Sequence, residues 1–258
     1  MLRATAIGVG LALAPGCRVV DAPDNLEDLM VFTFAHFDDD DAFLIEAGEA
    51  LKPLVVQHID DLSGGYRINN PTEDDLVQAG VPEPDLTHII GALGQADYRH
   101  DIDTVLEVLT HPAKDQIFDD YTHFDLLDSS NRACFLSREC ETYEIRVEQT
   151  LKIPLLGQSD ATYTQVYRHV EGPDGLPYVF SRVVNPEGVT FSSAIVDVDQ
   201  QYQVYAMYPH NGGTRRVEAY WVEAQFVGLE IPDSVAVDQF ASSLDNWAEQ
   251  IDGYIDGQ

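Results

Sequence analysis

The residues whose types and spacing best suit chemistry lie between His111 and His123. His111, Asp115, Asp119 and His123 recur every four positions, so on one helix neighbours would share a face. Imidazole nitrogens and carboxylate oxygens together make a zinc ligand set. Pro112 argues against it, because a proline there starts a helix rather than continuing one. An acidic, solvated helix face is the simpler reading, and no metal is assigned. Asp38 to Asp41 offers oxygens to calcium but lacks the spacing and the glycine of an EF-hand loop. It reads as a solvated link. The chain has no Gly-x-Ser-x-Gly, no His-Glu-x-x-His and no glycine-rich phosphate loop. Arg168, His169, Arg182, Tyr163 and Tyr205 fall in strand-like stretches, where each would orient a ligand, act as an acid or serve as an ordinary satisfied sheet residue. No catalytic residue and no cofactor is assigned.

The three cysteines speak to location. Cys134 and Cys140 are six apart, unlike the two-residue spacing of redox and zinc motifs. In an oxidising compartment they would close a small disulfide loop. Cys17 follows Ala14-Pro15-Gly16, after Arg3 and an apolar run from Ala4 to Ala14. That run is too short to span a bilayer and suits a signal peptide over residues 1–16. The segment resembles a bacterial lipobox, with Ala14 where leucine is usual. Lipidation of Cys17 is the expectation, and with it a lipoprotein on the cell envelope facing periplasm or exterior; the alternative is a secreted protein.

Charge limits the partners. Asp and Glu number 45 against 14 Lys and Arg, for a net charge of −31. Nucleic acid and anionic membrane surfaces would repel such a chain, so contact with a membrane is expected only through the anchor on Cys17. Lysine occurs only at 52, 114 and 152. An acidic, lysine-poor surface suits either high salt or plain solubility.

Several elements can be read along the chain. Residues 17–95 form the expected N-terminal helical region, with Asp24-Asn25 and Thr72 as helix caps, a long helix over Ala42 to Leu62 interrupted near Pro53, and Leu86 to Leu93 as a last short segment. A first strand is expected over Ala96 to Ile102, a helix over Asp103 to Thr110, and a second helical stretch to about Phe124. From Tyr143 onward apolar and polar residues alternate in long strands, broken at Gly172-Pro173-Asp174-Gly175, Asn185-Pro186-Glu187-Gly188, Asp199-Gln200 and His210-Asn211-Gly212-Gly213. The chain closes on Pro232 to Ile255, where Val237, Phe240, Leu244, Trp247, Ile251 and Ile255 form one apolar helical stripe. Burying it would contribute on the order of 10 kcal/mol.

This order, together with Thr104 to Pro112, Gly212-Gly213-Thr214-Arg215 and the closing helix, resembles the helix-grip fold of the START / polyketide-cyclase-like superfamily across residues 96–258. The resemblance implies an α+β fold: a curved antiparallel sheet wrapped on a long C-terminal helix, here with an added N-terminal helical layer. It also implies a hydrophobic small molecule or lipid held between sheet and helix. Expected pocket residues are Ile145, Val147, Phe180, Ile195, Val204, Val217, Trp221, Phe240, Leu244 and Trp247. The competing readings are an envelope structural or interaction protein with a filled core, and a cyclase- or hydrolase-like enzyme.

Overall fold

The computed structural model describes residues 21–81, 89–153, 157–185, 187–192, 196–226 and 233–258. Four helices come first: α1 (Leu26–Ala35), α2 (Asp41–Gln57), α3 (Ile59–Leu62) and α4 (Glu73–Gln78). Asn25 caps α1 by accepting from the Asp28 amide at 2.9 Å, and Thr72 and Asp75 form a reciprocal capping box on α4. α2 continues through Pro53 and ends at His58.

Strands β1 (Tyr66–Ile68) and β2 (Ile89–Tyr98) belong to the sheet, although both lie largely within the segment expected to be helical. β2 therefore starts earlier than the expected first strand. It is followed by α5 (Ile102–Leu109), capped by Asp101, whose side chain accepts from the Thr104 amide at 3.0 Å. The expected second helix is instead a single 3-10 turn, η1 (Lys114–Gln116), and the chain then enters β3 (Tyr121–Ser129). α6 (Arg132–Leu136) precedes β4 (Thr142–Ile153), β5 (Gly157–Glu171), β6 (Pro177–Asn185) and β7 (Val189–Phe191). β8 (Val196–His210) and β9 (Gly213–Phe226) follow, then α7 (Asp233–Asp256). Asp199-Gln200 does not end a strand; it is an irregularity within β8, where the register shifts against β9.

All pairings are antiparallel, in the order β1-β2-β9-β8-β6-β5-β4-β3, with β7 bridging β5 and β8. Asn211 and Gly212 carry positive φ of 49° and 81° in the two-residue turn between β8 and β9, the geometry that suits the twist of a hairpin.

The curved sheet is covered on both faces. On one, Ile89, Leu93, Phe180, Val204, Val217 and Trp221 pack with α1 and α2 residues such as Leu29, Phe34 and Leu51. On the other, Tyr143, Ile145, Val147, Tyr167, Tyr205 and Met207 share a core with Val105 of α5 and Leu244, Ala248 and Ile251 of α7. α7 lies along β2, where Gly94 leaves room: a Cβ there would sit 2.8 Å from Leu244 Cδ1. The fold is α+β of the helix-grip kind, with the N-terminal layer laid on the outer face of the sheet.

Candidate functional site

Period-two alternation fixes what each strand shows to α7. Register pairs Met207 with Arg216, Tyr205 with Glu218 and Gln203 with Tyr220. On β6 and β5 the same face carries Ser181, opposite Tyr205 and Tyr167, and Val183, opposite Gln203 and Gln165. The surface beneath the C-terminal helix is therefore markedly polar for a protein interior.

Its centre is Arg216, only 3% exposed, ion-paired to Glu218, 1% exposed. The Arg216 guanidinium lies 4.0 Å from the centre of the Tyr205 ring, and its Nη1 donates to the Tyr98 hydroxyl at 3.5 Å. Gln203 donates to the other oxygen of Glu218. Among the described residues Arg216 Nε has no hydrogen-bond partner and Glu218 Oε2 is held by charge alone, while the Tyr205 hydroxyl lies against those of Ser181 and Tyr167. Burial lowers the proton affinity of Arg216, but Glu218, Tyr98 and Tyr205 outweigh it, so the guanidinium stays charged. Burial raises the Glu218 pKa, with Arg216 opposing.

Lys114 is the second buried cation. η1 turns it inward, 6% exposed, with Nζ 5.4 Å from the centre of the Phe124 ring. Burial first, and the charge on Arg216 second, bring its pKa down to about 7. No carboxylate of a described residue lies within ion-pairing distance of it. Around the two cations stand Tyr98, Tyr163, Tyr167 and Tyr205, their pKa values raised chiefly by burial. Tyr163 donates to Gln149 at 2.8 Å and Tyr167 to the Leu109 carbonyl at 3.0 Å.

The expected pocket lining divides between the two faces. Ile145, Val147, Phe240, Leu244 and Trp247 do gather on the α7 side, Phe240 stacked on Tyr220 and Trp247 donating to Asp120 at 3.1 Å. Phe180, Val204, Val217 and Trp221 do not: they face the N-terminal helices, with Trp221 donating to the Asn69 carbonyl at 2.9 Å. Ile195 and Cys17 lie outside the described residues. The correction is a one-residue slip in facing. With a helical layer on each side, both faces of β6, β8 and β9 are buried, and the more apolar set belongs to the outer core.

Other candidates also resolve. His111, Asp115, Asp119 and His123 share no helix face, since His123 is on β3 and lies 3.3 Å from Asp125. Asp38 to Asp41 is a clamp rather than a free link: Asp38 pairs with Arg182, Asp41 with Arg168 at 2.6 Å, and Arg168 also donates to the Phe37 and Asp39 carbonyls. Those two arginines hold the N-terminal layer, away from α7. His169 Nε2 donates to the Phe135 carbonyl oxygen of α6 at 3.1 Å. Cys134 and Cys140 are joined in a disulfide. Two pockets among the described residues, of about 260 and 310 Å³, are on the face away from α7, lined by side chains such as Glu148, Thr150 and Asp160, and Glu144, Thr164 and Arg182.

No family model and no curated protein matches the chain. Solved structures do. It is similar to a STAR-related lipid transfer protein fragment from Xanthomonas axonopodis, at 15% identity and TM-score 0.42 over 67% of this chain and 97% of that one. It is similar to a START superfamily protein from Mycobacterium smegmatis, at 10% identity and TM-score 0.42 over 65% and 97%. Human StAR-related lipid transfer protein 5 aligns at 11% identity and TM-score 0.41 over 81% and 94%. Likeness at this level carries no ligand with it; the helix-grip description rests on the strand order and on α7.

Proposed function

We propose that this is an exported, lipid-anchored protein that binds a hydrophobic small molecule or lipid between its sheet and α7. The observation that carries the reading is the buried Arg216–Glu218 pair with Lys114 beneath α7. A core built only for stability gains little from such groups, since desolvating a buried ion pair costs about as much as its attraction returns. Perturbed, buried titratable groups are instead a common property of binding sites. The disulfide fits an oxidising compartment, and the Ala14-Pro15-Gly16-Cys17 segment supplies the anchor.

Native mass spectrometry of the full chain, purified gently from a bacterial envelope, tests the binding. A bound apolar species that leaves on denaturation supports it. Failure to recover one, with no uptake of an environment-sensitive apolar dye, favours the second reading, an envelope structural or interaction protein with a filled core. Cys17→Ser tests the anchor separately: the variant should move from the membrane fraction to the soluble one.

A further inference from the structure

Of the seven asparagines in this chain, Asn211 alone precedes a glycine. Asn70 and Asn185 precede prolines, which have no amide N–H, and the others precede residues with side chains. Asn25 and Asn131 are held as helix caps, and Asn246 lies within α7. Asn211 and Gly212 are instead exposed at the tip of the β8–β9 hairpin, where a Cβ added to Gly212 would meet nothing within 4 Å. The pairing of β8 with β6 ends at Met207, and that of β9 with β2 ends at Thr214. Among the described residues no neighbouring strand pairs with the tip beyond those points. Such an end opens locally without unfolding the sheet.

We propose that Asn211 is a modification site, whose side-chain amide is lost as ammonia through a cyclic imide to give aspartate and isoaspartate. The Gly212 nitrogen attacks Asn211 Cγ and gives up its proton to water. The Cγ–Nδ2 bond then breaks, and the amide nitrogen leaves as ammonia. Water opens the five-membered ring on either side of its nitrogen. Cleavage at Cγ leaves aspartate in the ordinary chain; cleavage at the Asn211 backbone carbonyl leaves isoaspartate, with the chain now running through Cγ. Glycine favours the first step because no Cβ hinders its nitrogen. Asn211 Nδ2 donates to His210 Nε2 at 2.8 Å, so an imidazole stands beside the departing nitrogen and, when protonated, supplies its proton. The closed turn restrains the reaction. At φ 49° Asn211 is in the left-handed conformation, which does not bring the Gly212 nitrogen against Cγ, so ring closure waits for the tip to open. Isoaspartate then favours the open form, because it adds a backbone carbon to a two-residue turn. Thr214, at the foot of the tip, donates to the His100 carbonyl at 2.9 Å, so the change reaches the segment between β2 and α5.

The test holds the full chain in mildly alkaline, warm buffer, with and without urea, and follows it by peptide mapping. In the folded chain the mass difference between Asn and Asp should accumulate at Asn211 and at no other asparagine, and fragmentation should place isoaspartate there. The three Asp-Gly pairs, at 174, 252 and 256, leave mass unchanged, so the mass shift reports amide loss alone. Urea should speed the conversion several-fold by opening the tip. Asn211→Gln should abolish it, since the longer side chain would have to close a larger ring. The converted chain, separated by its added negative charge, should exchange amide hydrogens faster at the tip and at His100 than the unconverted chain. Should the variant fail to fold, the map of the unaltered chain still decides. Conversion in urea with none in the folded chain overturns the proposal, as does equal conversion at several asparagines of the folded chain.

Discussion

Lys114 has a thermodynamic signature of its own. Its ordinary pKa of 10.5 falls to about 7 in the folded chain, mainly through burial. Below pH 7 both states hold the proton, and the folded state bears the full cost of an enclosed ammonium. Between about 7 and 10.5 the folded chain has released a proton that the unfolded chain keeps, so this contribution to stability rises with pH. At about 1.4 kcal/mol per decade of proton affinity, the difference is roughly 5 kcal/mol as an upper bound. Lys114→Met should therefore stabilise the unliganded protein by a few kcal/mol near pH 6. The gain should shrink toward zero near pH 10.5, followed by urea denaturation across that range. A gain that is flat with pH would mean the lysine is not enclosed as a cation. None of this was legible in the sequence. Arg216 and Glu218 alternate with Val217, Ala219 and Trp221, a pattern that by itself describes a strand with one wet face. Only the cover from α7 and η1 turns that face into an interior. Tyr163 and Tyr205 were visible as candidates because tyrosines in a strand invite the question of a hydroxyl partner.

At the scale of elements, the sequence was clearest where a local signal had no competitor. The caps at Asn25 and Thr72, the Asn211-Gly212 turn and the apolar stripe of α7 each depend on a few neighbouring residues. β2 was expected too late in the chain and β3 was missed, because their apolar residues are not cleanly alternating and strand formation there depends on distant partners, β9 and β4. The α7 stripe also needed tertiary contact to complete: Ala241 and Ala248 are as buried as Val237, because small residues let the helix approach β2 at Gly94. Gly94→Val should cost about 1–3 kcal/mol by overpacking against Leu244, and should speed hydrogen exchange in α7 before other helices. Gly64→Ala, with nothing within 4 Å of the added carbon, should change stability by less than about 0.5 kcal/mol. A second element-scale test is the loop across α6. Replacing Cys134 and Cys140 with serine releases a closure of six residues' separation, and should cost about 2 kcal/mol by chain entropy. Equilibrium denaturation of the two forms would read this directly.

At the scale of the molecule, the N-terminal layer changes what the sheet can be. A helix-grip sheet with an open outer face would show polar residues there, and face assignment by alternation would succeed. Here Arg168 and Arg182 bind the Asp38 to Asp41 run, and Trp221 reaches Asn69, so the layer and the sheet share one core. The sheet in turn joins that core to the one under α7, which couples the halves through common strands. Against this cohesion stands a net charge of −31. Self-repulsion of that size favours expansion, and screening it costs the protein only a few partly exposed ion pairs, such as Arg168–Asp41 and Arg99–Asp256. Repulsion is summed over the whole surface, whereas those pairs act locally, so screening should favour the folded state. Sodium chloride is the appropriate salt, because sulfate also strengthens apolar burial by exclusion. Raising it from roughly 10 mM to roughly 500 mM takes the Debye length from about 30 Å to well under 10 Å. A gain of even 1–2 kcal/mol would lift Tm by roughly 2–8 °C in a chain of this size. The transition should stay single, with tryptophan fluorescence and far-UV circular dichroism coincident, because Trp221 sits in one core, Trp247 borders the other, and the strands between them are shared. A Tm that falls with salt would mean that the ion pairs outweigh the net charge. Two separate transitions would mean that the layer and the grip hold together less tightly than the Asp38–Arg182 and Asp41–Arg168 clamp implies.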